Sequence, residues 1–293
     1  MTEQIAPPRA IGAMDTTLPA APRMPTVDLA RARVNLTYRW RHGCWPDLAA
    51  PTRFNELVQV RKLQDRDARM PVLADKVRAK VFVADRLGRD WVIPTLWHGT
   101  TLPDMPPTSS AFVVKSRHGC NQRAFVRFST ENWPAIRRRA AGWMRRGYGG
   151  WLDEWAYSQI PRGLLIEPFI GENGTLPVDW KVFVFGGRAC FVQVHLERET
   201  QHRWIVMDLD WRRVSAPTAD ADPAPPTNLR RMLCAAEALA TGFDFVRVDF
   251  YEVAGRPLFG EMTFYPGSGL DPFDPVALDG VMGRAWLDSI NTS

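Results

Sequence analysis

Hydrophobic and polar residues alternate most regularly near the end of the chain, in residues 243–251 and 258–265. Both runs are rich in Val, Phe and Tyr, which is typical of strands. Between them lie residues 252–257, and Gly255 in this segment tolerates a positive φ. The pattern therefore predicts a β-hairpin.

The predicted hairpin gathers charged residues on one side. Successive side chains of a strand point to opposite faces, so Arg247 and Asp249 share one face of the first strand. Glu261 and Thr263 share a face of the second strand. If the hairpin folds about Gly255, Asp249 lies opposite Glu261 and Arg247 opposite Thr263.

Two carboxylates placed in this way repel each other, because opposed Cβ atoms lie only about 4.5–5.5 Å apart. A shared proton, a cationic neighbour or a bound metal ion stabilises such a pair. Mg²⁺ is one candidate, since it takes oxygen ligands from one or two carboxylates together with substrate phosphates. The alternative is a solvated face on which Asp249 and Glu261 have no role, and spacing alone leaves both possibilities open.

Three further regions of the chain contain predicted strands. Residues 178–185 and 188–196 alternate and are joined by Gly186-Gly187, which predicts a second hairpin with a tight turn. Residues 112–115 predict a strand that leads into the loop 116–122, with a returning strand at 123–128. Such a loop is able to lay backbone N–H groups over phosphates. Residues 164–170 predict a buried strand that contains Glu167 and reaches an edge or bend at Pro168.

The first part of the chain predicts helices after a mobile leader at residues 1–30, which is rich in Pro and Ala. Apolar spacing predicts one helix at 54–63 and another at 75–83, which would place Lys76 and Lys80 on one face. Residues 36–45 combine Trp, Tyr and Arg. A helix packed on the first domain is the favoured interpretation of this cluster; a membrane or glycan contact is the alternative.

Composition is that of a globular protein, and the net charge of +5 with a pI near 9.2 favours anionic partners. The charge alone does not indicate nucleic-acid binding. Four scattered cysteines argue against structural zinc and a disulfide framework, and favour reduced thiols in the cytoplasm. No apolar run approaches about 18 residues, so no membrane span is expected.

The hairpin residues also resemble a known family. Arg247-Val248-Asp249, followed by Glu261-Met262-Thr263 and Pro266-Gly267, resembles the terminal motif of ATP-grasp ligases. The match is closest to the TupA-like ATP-grasp group, linked to cell-envelope polysaccharide and teichuronopeptide synthesis. The likeness runs from about Phe54 to about Gly283 and includes, in order, the segments 73–76, 112–115, 166–167 and 179–181.

This resemblance implies an α+β protein with the ATP-grasp fold, in which two α/β subdomains clasp ATP behind a smaller N-terminal domain. We expect the N-terminal domain at 31–108, the small lobe at 109–170 and the large lobe with the metal site at 171–293.

The resemblance also implies roles for individual residues. Arg247 and Lys115 are the expected catalytic residues, and Asp249, Glu261 and Thr263 the expected ligands of Mg²⁺. The wider superfamily carries Asn where Thr263 stands. The residues expected to bind ATP are Lys76, Lys115, His118, Glu167, Asp179, Lys181 and Arg198.

The implied activity is ATP- and Mg²⁺-dependent ligation of a carboxylate to an amine through an acyl phosphate. The expected product is a cell-envelope polysaccharide, or its precursor, modified with an amino acid or amine, and a sugar-acid polymer is one expected partner. The alternatives are a kinase of a carbohydrate hydroxyl on the same scaffold and a non-catalytic binder of acidic glycan or nucleic acid. The arginines of residues 133–147 and the twelve Trp motivate the binder.

Overall fold

The computed structural model describes residues 27–127, 132–145, 147–172, 174–197, 203–218 and 221–291. These residues form helices α1 (Val27–His42), α2 (Phe54–Gln64), α3 (Arg69–Ala74), α4 (Arg78–Leu87), α5 (Trp133–Arg145), α6 (Trp155–Ser158), α7 (Leu229–Leu239) and α8 (Ala277–Asn291). The strands are β1 (Trp97–Gly99), β2 (Phe112–Ser116), β3 (Arg123–Val126), β4 (Leu164–Pro168), β5 (Asp179–Phe185), β6 (Arg188–Leu196), β7 (Arg203–Met207), β8 (Phe245–Val253) and β9 (Arg256–Thr263).

The strands form two antiparallel sheets. The small sheet has the order β1-β4-β2-β3, and the large sheet has the order β7-β6-β5-β8-β9. In the small sheet, Phe112, Val114, Leu164 and Ile166 are buried on one face and pack with Trp133 of α5. Alternation along β2 therefore leaves Val113 and Lys115 on the other face.

The large sheet is covered by helices on both faces. At one end, Phe54 of α2 and Trp286 of α8 contact the rings of Phe185 and Phe245. Helix α7 contacts β5, β6 and β8. Asp179 and Lys181, near the start of β5, lie on the same face as Phe185 at its end. This face of the strand is therefore polar at one end and apolar at the other.

The terminal hairpin is confirmed, with a shorter turn than the sequence indicates. Val253 pairs with Arg256, so Ala254 and Gly255 alone form the turn, and both have positive φ. A β-bulge next to Asp249 then shifts the register by one residue. Asp249 pairs with Glu261 as predicted, but the pairing results from a two-residue turn combined with a bulge.

Helix α1 begins at Val27, near the expected end of the leader; residues 1–26 lie outside the described part of the chain, so the leader stays a prediction. One prediction about the first part of the chain is wrong. The predicted helix at 75–83 does not start at Asp75, because the Asp75 carboxylate accepts the backbone N–H of Val77 and α4 begins only at Arg78. Lys76 therefore lies in the connection between α3 and α4.

Within the described residues, no helix combines the length and the apolar character that crossing a bilayer requires.

Candidate active site

The polar faces of the two sheets enclose a cleft of about 400 Å³. Val113, Lys115 and Glu167 line it from the small sheet. From the large sheet, the lining residues include Asp179, Lys181, His195, Arg247, Tyr251, Gly260 and Glu261. The cleft therefore collects most of the residues that the sequence predicts for nucleotide binding.

On the small-sheet side, one buried carboxylate is held by two lysines. Lys115 Nζ lies 2.6 Å from Glu167 Oε2, and Lys80 Nζ contacts the other carboxylate oxygen. Burial opposes ionisation of Glu167, but the charges of Lys115 and Lys80 outweigh it and lower the pKa of Glu167 to about 2. Burial lowers the pKa of Lys80, against the attraction of Glu167. The carboxylate therefore positions Lys115 at the cleft.

On the large-sheet side, Asp249 is enclosed by cations. Arg247 Nε and Nη2 donate to Asp249 Oδ1 and Oδ2 at 2.7 and 2.8 Å. Lys181 Nζ donates to Asp249 Oδ2 and lies 2.8 Å from Asp179 Oδ2. Asp249 is only 1% exposed. Burial disfavours the charged form of Arg247, but Asp249 outweighs it and raises the pKa of Arg247 above its ordinary value.

Glu261 lies opposite Asp249, lines the cleft and is half-buried. In the part of the chain that the structure describes, its carboxylate has no ion pair. Thr263 Oγ1 accepts from Arg247 Nη2 at 3.4 Å. Arg247 and Lys181 supply the cationic neighbours that stabilise Asp249 beside Glu261. Magnesium ligation by Asp249, Glu261 and Thr263 stays a prediction.

The loop predicted to cover phosphates is tied to the segment that carries Lys76. Lys76 Nζ donates to the Gly119 carbonyl at 2.6 Å, and Arg117 Nε donates to Asp75 at 2.6 Å. A Cβ on Gly119 would lie 2.8 Å from Ser116 Oγ and still closer to Gln122, so this position suits glycine. Lys76 and Gly119 both line the cleft.

One predicted ATP-binding residue, His118, is not brought to the cleft. His118 is buried, and its Nδ1 accepts the Gly163 N–H at 3.3 Å, so this side chain supports the loop. It is not among the residues that line the cleft. Arg198 lies outside the described residues.

Three residues of the site were not predicted from the sequence. Lys80 contacts Glu167, Arg123 lies opposite Lys115 in the β2–β3 register, and His195 lies opposite Asp179 in the β5–β6 register. Arg123 and His195 also line the cleft. Pairing the residues that flank the predicted loop 116–122 would have found Arg123. His195 was beyond this rule, because a register shift between Phe183 and Val184 brings it, and not Val194, opposite Asp179.

A two-sheet molecule with a charged cleft between its sheets is the arrangement expected of an ATP-grasp protein. The family model described as TupA-like ATPgrasp matches residues 56–287. The chain therefore belongs to the TupA-like ATP-grasp family. Among curated proteins, no sequence matches it.

Solved structures resemble the chain at low identity. A D-alanine–D-alanine ligase from Bacillus anthracis, complexed with ATP, is 14% identical with a TM-score of 0.45, covering 75% of this chain and 65% of its own. The ATP-grasp ligase PsnB, complexed with a minimal precursor, is 10% identical with a TM-score of 0.43, over 76% and 62%. The D-cycloserine synthetase DcsG is 20% identical with a TM-score of 0.39, over 73% and 70%. The chain thus spans less than two thirds of the first two proteins.

Proposed function

We propose that the protein is an ATP- and Mg²⁺-dependent ligase that joins a carboxylate to an amine. One observation carries the proposal: one wall of the cleft carries Lys115 and Arg123 of the small sheet with Lys76, which is held at Gly119, and the other wall carries the carboxylates of Asp179 and Glu261 of the large sheet. Phosphate groups favour the first wall and a divalent cation favours the second. A metal–nucleotide complex combines both requirements.

Nucleotide binding is assigned to both walls. Lys115, held by Glu167, and Lys76, held at Gly119, present ammonium groups to the phosphates. Phe125 and Phe169 line the cleft with ring centroids 5.9 Å apart and offer an apolar surface for adenine. Because the carboxylate of Glu167 is engaged by lysines, the backbone that follows Glu167 is assigned to the adenine edge.

The carboxylate oxygens of Asp249 and Glu261 are of the donor type that Mg²⁺ prefers. The Glu261 carboxylate faces the cleft, and a carboxylate such as Asp249 has about four lone-pair sites, of which the contacts with Arg247 and Lys181 use three. Among the described residues, no group of three His, Cys, Asp or Glu forms a metal cluster. Glu261 and Asp249, with Thr263 nearby, would therefore hold Mg²⁺ together with phosphate oxygens. The bound ion supplies charge neutralisation between nucleotide and carboxylate substrate.

The chemistry that we propose has two steps. A substrate carboxylate oxygen attacks the γ-phosphorus of ATP, ADP leaves, and an acyl phosphate forms. The amine then attacks the acyl carbon, and phosphate leaves with release of one proton. Arg247, on the cleft side of β8, is assigned to the oxygen that becomes negative in the second step, while Lys115 steadies the transferred phosphoryl group.

The family link to envelope polymers leads us to propose a sugar acid, or a polymer that contains one, as the carboxylate substrate. The amine is an amino acid or a small amine. We propose a cytoplasmic location, where ATP and Mg²⁺ are abundant.

Product analysis tests this function. The protein is incubated with ATP, Mg²⁺ and panels of amines and sugar acids whose carboxylates carry ¹⁸O. We expect an amide, ADP and phosphate that contains one ¹⁸O atom, because the carboxylate oxygen leaves with the phosphoryl group. Asp249→Asn should abolish the reaction. Asp210→Asn, which changes an exposed aspartate in the same way, is the control and should leave the reaction intact.

Other products would overturn the proposal. A phosphomonoester with no amide would identify a kinase. Binding of an acidic glycan without any ATP turnover would identify a non-catalytic binder. Phosphate without ¹⁸O would exclude the acyl phosphate.

A further inference from the structure

Helix α1 packs on the protein mainly through Val34 and Tyr38, which are buried. Arg33, nearer to the other side of the helix, is also engaged, because its Nε donates to Asp153 at 3.0 Å. Leu29, Leu36 and Trp40 are spaced by seven and four residues, so they share the opposite side of the helix. This outer face of α1, defined by Leu29, Leu36 and Trp40, is open: these residues are 58%, 61% and 76% exposed.

The outer face is bordered by arginines that are arranged over aromatic rings. Arg39 lies 4.7 Å from the ring centroid of Trp45, which is itself 56% exposed, and Arg41 lies 5.6 Å from that of Trp40. Apolar side chains with Trp and flanking arginines are the composition of helices that lie in the interface of a membrane.

Charge disfavours the two simplest protein occupants of this face. Helix α1 contains four arginines and Asp28 as its one acid, so a second copy related by two-fold symmetry would bring like charges together. Residues 1–26 contain two arginines and two acids and therefore offer no net negative charge. An anionic surface with an apolar interior would pair with the arginines and would also bury the apolar side chains of the outer face.

We propose that the outer face of α1 docks on a membrane that contains anionic phospholipid. Leu29, Leu36 and Trp40 enter the boundary between headgroups and acyl chains, and Arg39 at the border of the outer face lies against lipid phosphates. This docking is a peripheral contact, and it does not depend on the ligase proposal.

The docked helix is joined to the active-site cleft. Arg41 Nε donates to the Leu270 carbonyl at 3.0 Å, and His42 Nε2 lies 3.1 Å from the Gly269 carbonyl. The loop that contains these carbonyls borders the cleft through Gly267 and Asp271. Membrane contact thus involves a helix that touches the edge of the site, as expected if the substrate is presented at the lipid surface.

Vesicle sedimentation tests the docking with the full chain. The probes are vesicles of phosphatidylcholine alone and of phosphatidylcholine with about 30% phosphatidylglycerol. We expect binding to the anionic vesicles only, and weaker binding at high salt because the arginine contribution is screened. The double variant Leu36→Gln/Trp40→Gln should bind at least about tenfold more weakly, since it loses two inserted apolar side chains. Arg39→Gln, which removes one basic side chain at the border of the outer face, should bind about fivefold more weakly.

The control is Met105→Gln/Val276→Gln, which removes two side chains of comparable exposure elsewhere on the surface. It should bind vesicles like the parent protein, and all variants should keep the parent melting temperature. Equal vesicle binding by the outer-face variant and the control would overturn the proposal, as would no binding by the parent.

Two further outcomes also contradict a lipid partner. A dimer in sedimentation analysis that Leu36→Gln/Trp40→Gln dissociates would assign the face to a second copy. Binding to a soluble polyanion such as dextran sulfate that equals the vesicle binding, and that depends on Arg39 but not on Leu36 and Trp40, would assign it to an acidic polymer.

Discussion

The two walls of the cleft differ in which sign of charge predominates in their ion pairs. On the small-sheet wall, Lys80 and Lys115 contact the single carboxylate Glu167, and Arg123 lies opposite Lys115 and lines the cleft. On the large-sheet wall, two cations face three carboxylates; they are Lys181 and Arg247 against Asp179, Asp249 and Glu261. The first wall therefore has a net positive charge and the second a net negative charge.

The comparison explains how a single cleft can accept both phosphate and metal. A triphosphate adds about four negative charges, which the small-sheet wall attracts. The large-sheet wall would repel those charges unless a divalent cation entered with them. Changes to each wall should therefore have different effects, and the predictions below separate the two walls.

The largest expected effect is on the large-sheet wall. Asp249→Asn leaves Lys181 and Arg247 buried beside a neutral amide, so the free energy of unfolding should fall by about 3–5 kcal/mol. Urea unfolding measures this change. Glu261→Gln is the matched control, because Glu261 is half-buried without an ion pair among the described residues; it should cost about 0.5 kcal/mol or less. Equal losses for both variants would contradict the difference in burial that we describe.

The small-sheet wall should respond to acid. A carboxylate whose folded pKa lies below its unfolded value stabilises the fold above the unfolded pKa and loses that contribution as pH falls through the folded pKa. For Glu167, with a pKa of about 2, the loss develops between pH 4.5 and pH 2 and amounts to about 3 kcal/mol. Glu167→Gln should remove this part of the pH dependence of unfolding. A variant whose pH profile parallels that of the parent over this range would exclude the paired carboxylate.

A smaller effect concerns the bulge that aligns Asp249 with Glu261. A Cβ on Gly260 would lie 3.0 Å from the Asp249 carbonyl oxygen and 3.2 Å from the Tyr251 ring. Gly260→Ala should therefore lower the free energy of unfolding by about 1–3 kcal/mol.

Gly280→Ala in α8 is the control for this variant, because the nearest atom to its new Cβ is the Arg284 guanidinium at 3.7 Å. The control should gain about 0.5–1 kcal/mol from helix propensity. A Gly260→Ala protein as stable as the parent would mean that the bulge tolerates a side chain.

Sequence patterns predicted the elements whose neighbours are close in the chain. Alternation placed Asp249 opposite Glu261, although the two-residue turn and the bulge that produce this pairing carry no period-two signal. The Gly186-Gly187 hairpin was also predicted, and both glycines have positive φ. Local rules are sufficient for such hairpins.

Contacts between segments that are far apart in the chain could not be predicted from local sequence patterns. Lys181 meets Asp249 across 68 residues, because β5 lies beside β8, and Lys80 meets Glu167 across two elements of different type. The helix predicted at 75–83 was interrupted because the Asp75 carboxylate binds Arg117 and the Val77 N–H. The boundaries 31–108, 109–170 and 171–293 stay predictions.

The most direct test of the central claim compares nucleotide binding with and without Mg²⁺. Calorimetric titration of a non-hydrolysable ATP analogue into the parent protein should show about tenfold tighter binding with Mg²⁺ than with EDTA. In Glu261→Gln, whose fold should be intact, Mg²⁺ should change the affinity by about twofold or less. An equal Mg²⁺ effect in both proteins would contradict a metal ion held between the opposed carboxylates and the nucleotide.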